Sequence, residues 1–454
     1  MPATGGPLTV EQLRMQVDDG QVDTVLVAIT DMQGRLQGKR CAARYFLDEV
    51  MPHAAEACNY LLAVDVDMTP VAGYAMSSWE RGYGDFVLKP DLSTLRRVPW
   101  HEATALVLCD LAWADGTPVT ASPRQILRRQ LERLAERRLA AFVGTELELL
   151  VFKTSYEDAW RSGYRNLEPA NQYNVDYSMI GTGRIEHLLR RIRNGMSGAG
   201  LYVESAKGEC NLGQHEIAFR YAGALTTCDN HSIYKTGAKE IADQEGMSLT
   251  FMAKYDQREG NSCHIHISLR SLDGEPVLAG SGPHAFSKLM EHFIAGQLAG
   301  LCELTYLFAP NINSYKRYVP GSFAPTAVAW GLDNRTCALR VVGHGESLRV
   351  ENRVPGADVN PYLAVAASIA AGLDGIDRQL PLEPPFAGNA YESDRPHIPG
   401  TLREAAQLFA ASELARAAFG DDVVEHYLNA ARVELAAFDA AVTDWERFRG
   451  FERL

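Results

Sequence analysis

The chain has 454 residues, enough for one large domain and a smaller companion, and its composition is that of an ordinary globular protein. A formal net charge of −13 disfavours nonspecific nucleic-acid binding, which depends on Lys and Arg neutralising phosphates. No basic segment leads into an apolar run at the N-terminus, and the longest nearly apolar stretch, Tyr362 to Leu373, falls short of the roughly 20 residues a bilayer requires, so neither a signal peptide nor a membrane span is expected.

Along the chain, Thr9 and Gln12 form a capping box for a first short helix. The β-branched run Thr24 to Thr30 predicts a strand, Asp31-Met-Gln-Gly34 a turn, and Arg35 to Arg40 a basic return strand. Thr104 to Leu111 predicts another strand, and Gly116-Thr-Pro118 marks a domain boundary, giving units 1–117 and 118–454. Ser122-Pro123 opens a helix, with Ser as N-cap and Pro in the first turn, and Ile126, Leu127, Leu131 and Leu134 form its apolar face. Strand-like runs follow near 141–152, 214–221, 263–269, 337–342 and 349–354, with helices between and a helical tail from a Thr401/Glu404 capping box. The fold class is therefore α+β: a small strand-rich N-terminal domain and a large domain built on an antiparallel sheet. The eight cysteines are scattered without a Cys-x-x-Cys pair, a spacing that predicts reduced thiols in a cytoplasm.

Four segments carry chemistry. Residues i and i+2 of a strand share a face. In Thr145-Glu146-Leu147-Glu148-Leu149 the glutamates share one face and the leucines the other. In His264-Ile265-His266-Ile267-Ser268-Leu269 the histidines and Ser268 oppose the apolar side chains. Arg349, Glu351 and Arg353 share a face, and Arg340 parts from Leu339 and Val341. Each segment alone reads as a half-exposed strand with a solvated face. Four together predict one polar cavity, where buried like charges must be paired or metal-bound. Carboxylates with one imidazole suit Mg²⁺ or Mn²⁺. Neither a GxxxxGK[ST] loop nor a GxGxxG fingerprint after a strand is present.

These segments, in this order, resemble the glutamine synthetase superfamily (class I type). The likeness extends through Gly84 to Thr94, Glu209 to Glu216, Gly260 to Leu269, Asn313 to Pro325, Asn334 to Arg340 and Arg349 to Tyr362. It implies a β-grasp-like N-terminal domain and a catalytic domain on a curved antiparallel sheet flanked by helices. It further implies that Glu148, Glu209 and Glu216 hold one ion beside the glutamate substrate, and that Glu146, His264 and Glu351 hold a second that bridges ATP phosphates. Gly260, Arg317 and Arg353 would bind glutamate. Arg335, Arg340 and Arg349 would stabilise the transferring phosphate, with Arg317 beside them in catalysis. Glu204, Tyr221, His266 and Ser268, with Arg340 and Arg349, would contact ATP; Tyr221 fits a plain core position equally well. Tyr391 lies where some family members carry a regulatory adenylylated tyrosine, but its surroundings differ and a structural role is favoured.

The likeness breaks at the acceptor. Phe323 stands where family members carry the glutamate that helps capture and deprotonate ammonium. Glu259 replaces a common Asn, and the family's ammonium-site aspartate, supplied by a neighbouring subunit, has Asp65 and Asp67 as candidates here. The resemblance thus implies an ATP-dependent ligase joining glutamate to a primary amine. Tyr173 to Tyr177, Lys207 to Asn211, Ala253 to Asp256 and the ending Thr443 to Leu454 resemble the actinobacterial branch linked to γ-glutamylethanolamide synthesis. Polyamine ligation, ordinary glutamine synthesis and a non-catalytic structural homologue are the alternatives. The resemblance also implies a cytoplasmic homo-oligomer, a dodecamer of two hexameric rings.

Overall fold

A computed structural model describes residues 6–454. Among them the N-terminal half-dozen strands are β1 (Thr24–Thr30), β2 (Leu36–Ala42), β3 (Ala55–Cys58), β4 (Asp85–Pro90), β5 (Arg96–Arg97) and β6 (Thr104–Ala112), in the order β2-β1-β6-β4-β3 with β5 on β6. β1 runs antiparallel to β2 but parallel to β6. The β1–β2 turn closes because the Asp31 carboxylate accepts from the backbone of Gln33 and Arg35 and from Arg35 Nε. Gly34, at φ +80°, completes the turn in the left-handed region open to glycine. The Thr9/Gln12 box caps the helix Val10–Asp18 reciprocally, as expected.

The second sheet holds β7 (Leu139–Phe152), β8 (Val203–Gly208), β9 (Gln214–Phe219), β10 (Ala222–Gly223), β11 (Ser248–Thr250), β12 (Cys263–Ser271), β13 (Trp330–Leu332), β14 (Leu339–Val342) and β15 (Arg349–Asn352). Its order is β13-β14-β15-β12-β7-β9-β8, with β10 and β11 on β7. Pairing is antiparallel except at the β13–β14 edge, which is parallel, a departure from the uniform antiparallel expectation. The helices Pro123–Glu136 and Ala224–Gln244 pack on β7, and the buried helix Pro361–Asp377 packs on them in turn.

Two caps differ from expectation. Ser122 precedes the helix Pro123–Glu136 without making a side-chain cap bond. Glu404 reaches back to Gly400 N rather than to Thr401 N. Gly116-Thr-Pro118 forms a turn after which Val119 returns to bond Leu111.

The two sheets are joined through polar contacts. Asn360 Nδ2 donates to the carbonyls of Asp31 and Met32, and Thr30 Oγ1 donates to the Tyr362 hydroxyl at 3.3 Å. Arg124, nearly buried, gathers Asp91, Asp110 and Asp229. All eight cysteines are free. Among the described residues no helix is long and apolar enough to cross a membrane.

Candidate active site

Strand register assembles the site. β12 lies on β7 with His264 opposite Glu146 and His266 opposite Gly144. β15 lies on β12 with Glu351 opposite His266, and β14 on β15 with Arg340 opposite Glu351. On the other side Glu216 of β9 opposes Glu148, and Lys207 of β8 opposes Glu216. Leu147, Leu149, Ile265 and Ile267 point the other way and are buried. The alternating polar faces therefore form one surface, as the period-2 pattern predicts.

Two carboxylate groups stand on that surface. Glu148, Glu209 and Glu216 bring ligand oxygens within 4.8 Å of one another. Burial pushes the Glu148 carboxyl up to about 8, and the nearby Glu209 charge adds to the rise; burial likewise lifts Glu216. Such crowding calls for a cation. In this structure the Lys207 ammonium serves: it meets Glu209 and lies 3.8 Å from Glu216, over the ring of Tyr177. Three oxygen donors and a demand for positive charge fit a hard divalent ion.

The second group is electrostatically different. Burial alone would raise Glu146, but hydrogen bonds from His264 and His266 outweigh it and hold the carboxyl well below its usual range. Glu351, fully buried, is bridged by Arg340 Nη1 at 2.8 Å and Arg353 Nη1 at 2.5 Å. Both imidazoles approach Glu146, so two histidines compete for the ligand role. Arg349 Nε donates to His266 Nδ1 at 3.2 Å, which leaves the proton on Nε2 and that atom donating to Glu146. His264 Nδ1 has no such arginine and lies 3.2 Å from Glu146 and 3.4 Å from Glu351. Burial, with the Arg353 charge, brings its pKa down to about 4, so the ring is neutral and able to ligate. The cluster whose ligand atoms lie within 4.8 Å of one another is Glu146, His266 and Glu351, not the expected set with His264, whose neutral ring stands beside the same two carboxylates; His266 has another task as well.

That task is a cavity of about 480 Å³ beside Glu146, lined by Glu204, Tyr221, His266, Ser268 and Arg349. These five are residues that the sequence assigns to the nucleotide. Tyr221 is half exposed, which overturns its reading as core. Glu204 reaches the cavity through a bulge: the β8–β9 register shifts between Val203 and Ser205, leaving Glu204 as the extra residue. Arg340 is not in this wall; it bonds Asp333 and Glu351. Arg335 lines an open depression with Asp333, Asn334 and Phe386.

At the other end, Arg317 is buried, and its Nη2 donates to the carbonyls of Arg353, Val354 and Pro355. Much of its guanidinium is thus occupied by the protein, and Nε is the group without a partner. A Cβ on Gly260 would sit 2.2 Å from the Ala253 carbonyl and 2.8 Å from Arg317 Cγ, so only glycine fits beside that arginine. Arg353 joins Glu351 and the Phe323 carbonyl, and its Nε also lacks a partner. Phe323 itself has φ 59° and a ring 57% exposed. Asp65 lines a separate cavity with Tyr74, Asp358 and Glu434, so within one chain it is not brought to the glutamate cluster.

Sequence reasoning missed Lys207 as a charge within the glutamate cluster and Asp333 as the partner of Arg340. The first was legible: Lys207 and Glu209 are two apart, but the run Val203 to Gly208 lacks the apolar alternation that marks a strand. The second was not, because Asp333 sits at φ 49° beyond the end of β13.

Comparison with known proteins agrees with this geometry. The model of the glutamine synthetase catalytic domain matches residues 120–449. A γ-glutamylethanolamide synthetase, GlnA4, of Streptomyces coelicolor is 68% identical over 99% of this chain and 96% of its own. A glutamate–isopropylamine ligase of a Pseudomonas species is 37% identical over 96% and 97%. Among solved structures, a GmaS/ADP complex superposes with a TM-score of 0.85 at 26% identity, covering 97% of this chain and 99% of that one. With sheet register, carboxylate pairs and whole-length similarity in agreement, the chain belongs to the glutamine synthetase family.

Proposed function

We propose that this protein is an ATP-dependent ligase that joins the γ-carboxylate of glutamate to ethanolamine, giving γ-glutamylethanolamide. One observation carries the choice of acceptor: Phe323 stands at the ammonium position of a site whose phosphoryl-transfer residues are all present. The 68% identical Streptomyces enzyme carries that activity in its name and supports the reading.

Glutamate is held by Arg353 and Arg317, each with an unpartnered Nε, beside Gly260. ATP occupies the cavity of Glu204, Tyr221, His266, Ser268 and Arg349. Its γ-phosphoryl group passes to the glutamate γ-carboxylate, and Arg335, Arg340 and Arg349 offset the charge on the transferring oxygens. Two or more Mg²⁺ or Mn²⁺ ions, held by Glu148, Glu209 and Glu216 and by Glu146, His264 and Glu351, would supply further neutralisation of phosphate charge. A carboxylate among Asp65, Asp67 and Glu209 takes a proton from the amine. The freed nitrogen attacks the acyl carbon of γ-glutamyl phosphate, forms the amide bond and releases phosphate. Phe323 gives the acceptor's methylenes an apolar wall, and its ring faces the ammonium head with an attraction of roughly 0.5–2 kcal/mol.

Residues 1–117 form a β-grasp-like domain that completes a neighbouring subunit's site, and residues 118–454 form the catalytic domain, in a cytoplasmic dodecamer of two rings. Asp65 supports this, since it lines a cavity separate from its own chain's glutamate cluster. The test is an amine panel read by phosphate release with glutamate, ATP and Mg²⁺. Ethanolamine should drive turnover and ammonium hardly any; strong ammonium turnover refutes the reading.

A further inference from the structure

Arg340 is expected at the transferring phosphate, yet its guanidinium is already occupied within the chain. Nε donates to Asp333 Oδ1 at 3.0 Å, Nη2 to the same oxygen at 2.5 Å, and Nη1 to Glu351 Oε2 at 2.8 Å. All three nitrogens are engaged, and Arg340 is not among the residues that line the nucleotide cavity.

The cavity is nonetheless close. Arg340, Glu351 and His266 stand opposite one another on β14, β15 and β12. Neighbouring strands lie about 4.8 Å apart, so the Arg340 backbone is about 10 Å from that of His266. His266 lines the cavity, and the Arg340 guanidinium already extends to Glu351 on the intervening strand. It therefore stands one strand short of the space that the phosphates would fill.

The two carboxylates that hold it there are unlike. Glu351 is fully buried and is also bonded by Arg353. The Asp333 side chain is 73% exposed, and among the described residues Arg340 is its side-chain partner. An ion pair with one member in water is weak, because solvent screens the attraction and competes for the carboxylate. Bonds from arginine to phosphate oxygens are among the strong ones, so a triphosphate outcompetes a single exposed carboxylate. The backbone puts Asp333 in place for this contest. It follows β13 at φ 49°, a region that Asp enters more readily than most residues, and its N–H donates to the Val341 carbonyl at 3.0 Å. That bond sets the carboxylate beside Arg340, the residue before Val341.

Resting on the reading that ATP fills this cavity, we infer that Asp333 is a positioning residue, a displaceable latch that holds Arg340 outside the cavity until the phosphates of ATP draw it off. Nucleotide must break the Asp333 pair before it gains the guanidinium, and it binds less tightly for that reason.

The experiment measures binding of a non-hydrolysable ATP analogue with Mg²⁺ by calorimetry in wild type and Asp333→Asn. Asn keeps the size and enters the same backbone region but carries no charge. Kd should fall about fivefold in the variant, equivalent to about 1 kcal/mol, the upper end for an exposed pair. KM for ATP in phosphate release should fall in step, with KM for glutamate unmoved. The difference between the two proteins should shrink as salt rises, since ions screen the exposed pair, whereas screening of the nucleotide is common to both and cancels. In an Arg340→Gln background, where the side chain can still donate to Glu351, Asp333→Asn should leave Kd unchanged; an equal gain there shows that the carboxylate repels the nucleotide directly and overturns the latch. A weaker Kd, or a fallen kcat at unchanged KM, makes Asp333 a support for Arg340 in its working position and also overturns it, as does a large drop in Tm. An unchanged Kd in a protein that binds nucleotide sinks this inference alone; a wild type that binds no nucleotide sinks the functional reading first and this with it.

Discussion

Phe323→Glu places a carboxylate where the proposed reading puts the acceptor's aromatic wall, and the structure sets how much should follow. Both acceptors arrive as cations, so the new charge attracts ammonium and ethanolammonium alike and largely cancels in their ratio. The loss of the ring's attraction for a cation cancels in the same way. What does not cancel is the apolar wall: ethanolamine has two methylenes to cover and ammonium has none. Full cover contributes about 0.8 kcal/mol per methylene, or about 1.6 kcal/mol. The ring is itself 57% exposed in the chain, so half that value, about 0.8 kcal/mol, is the lower bound. The ratio of kcat/KM for ammonium over ethanolamine should therefore rise by about 4- to 15-fold, measured by phosphate release. Backbone strain does not confound the result, because Phe and Glu bear the same cost at φ 59° and the variant should unfold like wild type. Phe323→Gly is the control: it relieves the strain, adds no charge, and should shift the ratio the same way. A ratio unmoved in both variants would remove this side chain from the specificity argument.

Glu351→Ala should abolish turnover with every amine, since the carboxylate serves the shared phosphoryl step; it should also destabilise the fold by about 3–5 kcal/mol in urea melts, because Arg340 and Arg353 lose their buried partner. The two metal groups should differ in pH behaviour: Glu148, near 8, holds its proton at pH 7 and burial raises Glu216 as well, so loading that cluster should release about one to two protons, seen by calorimetry in buffers of different ionisation enthalpy. Glu146 and Glu351 are depressed and His264 is neutral, so loading the second group should release almost none above pH 6; affinity at the first should rise with pH toward 8 while the second stays flat. The linked stability follows the same sign: in chelator-treated protein the raised Glu148 favours folding below pH 4.5, that contribution is lost as pH climbs through 8, and Glu216 acts in the same direction. Lys207→Met should tighten Mn²⁺ binding at the first cluster by about tenfold, since a competing ammonium leaves the carboxylates, a change of about 1.4 kcal/mol; unchanged or weaker binding would make Lys207 a prop rather than a competitor.

How far the site could be read before folding depended on whether the residue sits in a regular ladder. Glu146, Glu148, His264, His266, Arg340 and Glu351 all lie in strands, and a period of two puts them on one face without knowledge of the partners. The partners themselves, such as His266 opposite Glu351, come from pairings across 85 residues that alternation cannot specify. Glu204 escapes the rule because a bulge turns it, and the parallel β13–β14 edge escapes it because short strands carry no directional signal. Tyr391 reads as structural in the sequence, and the turn that carries it is held by Thr336 and Asn334, more than 50 residues earlier, a tie that local sequence does not reveal.

This division separates the chemistry a strand ladder enforces from the choice a loop permits. The strand-borne residues of the phosphoryl step are locked by register: sliding β12 by one residue on β7 would send both histidines to the apolar face, so that part of the site cannot drift without loss of the fold. Phe323 lies outside any ladder, at a positive φ. Substitution there costs little of the sheet and nothing of the carboxylates, and loops on a rigid scaffold are where specificity is most cheaply altered. The acceptor can thus change while glutamate activation stays fixed, which is why a single aromatic at position 323 over an intact carboxylate surface reads as a change of substrate rather than loss of function.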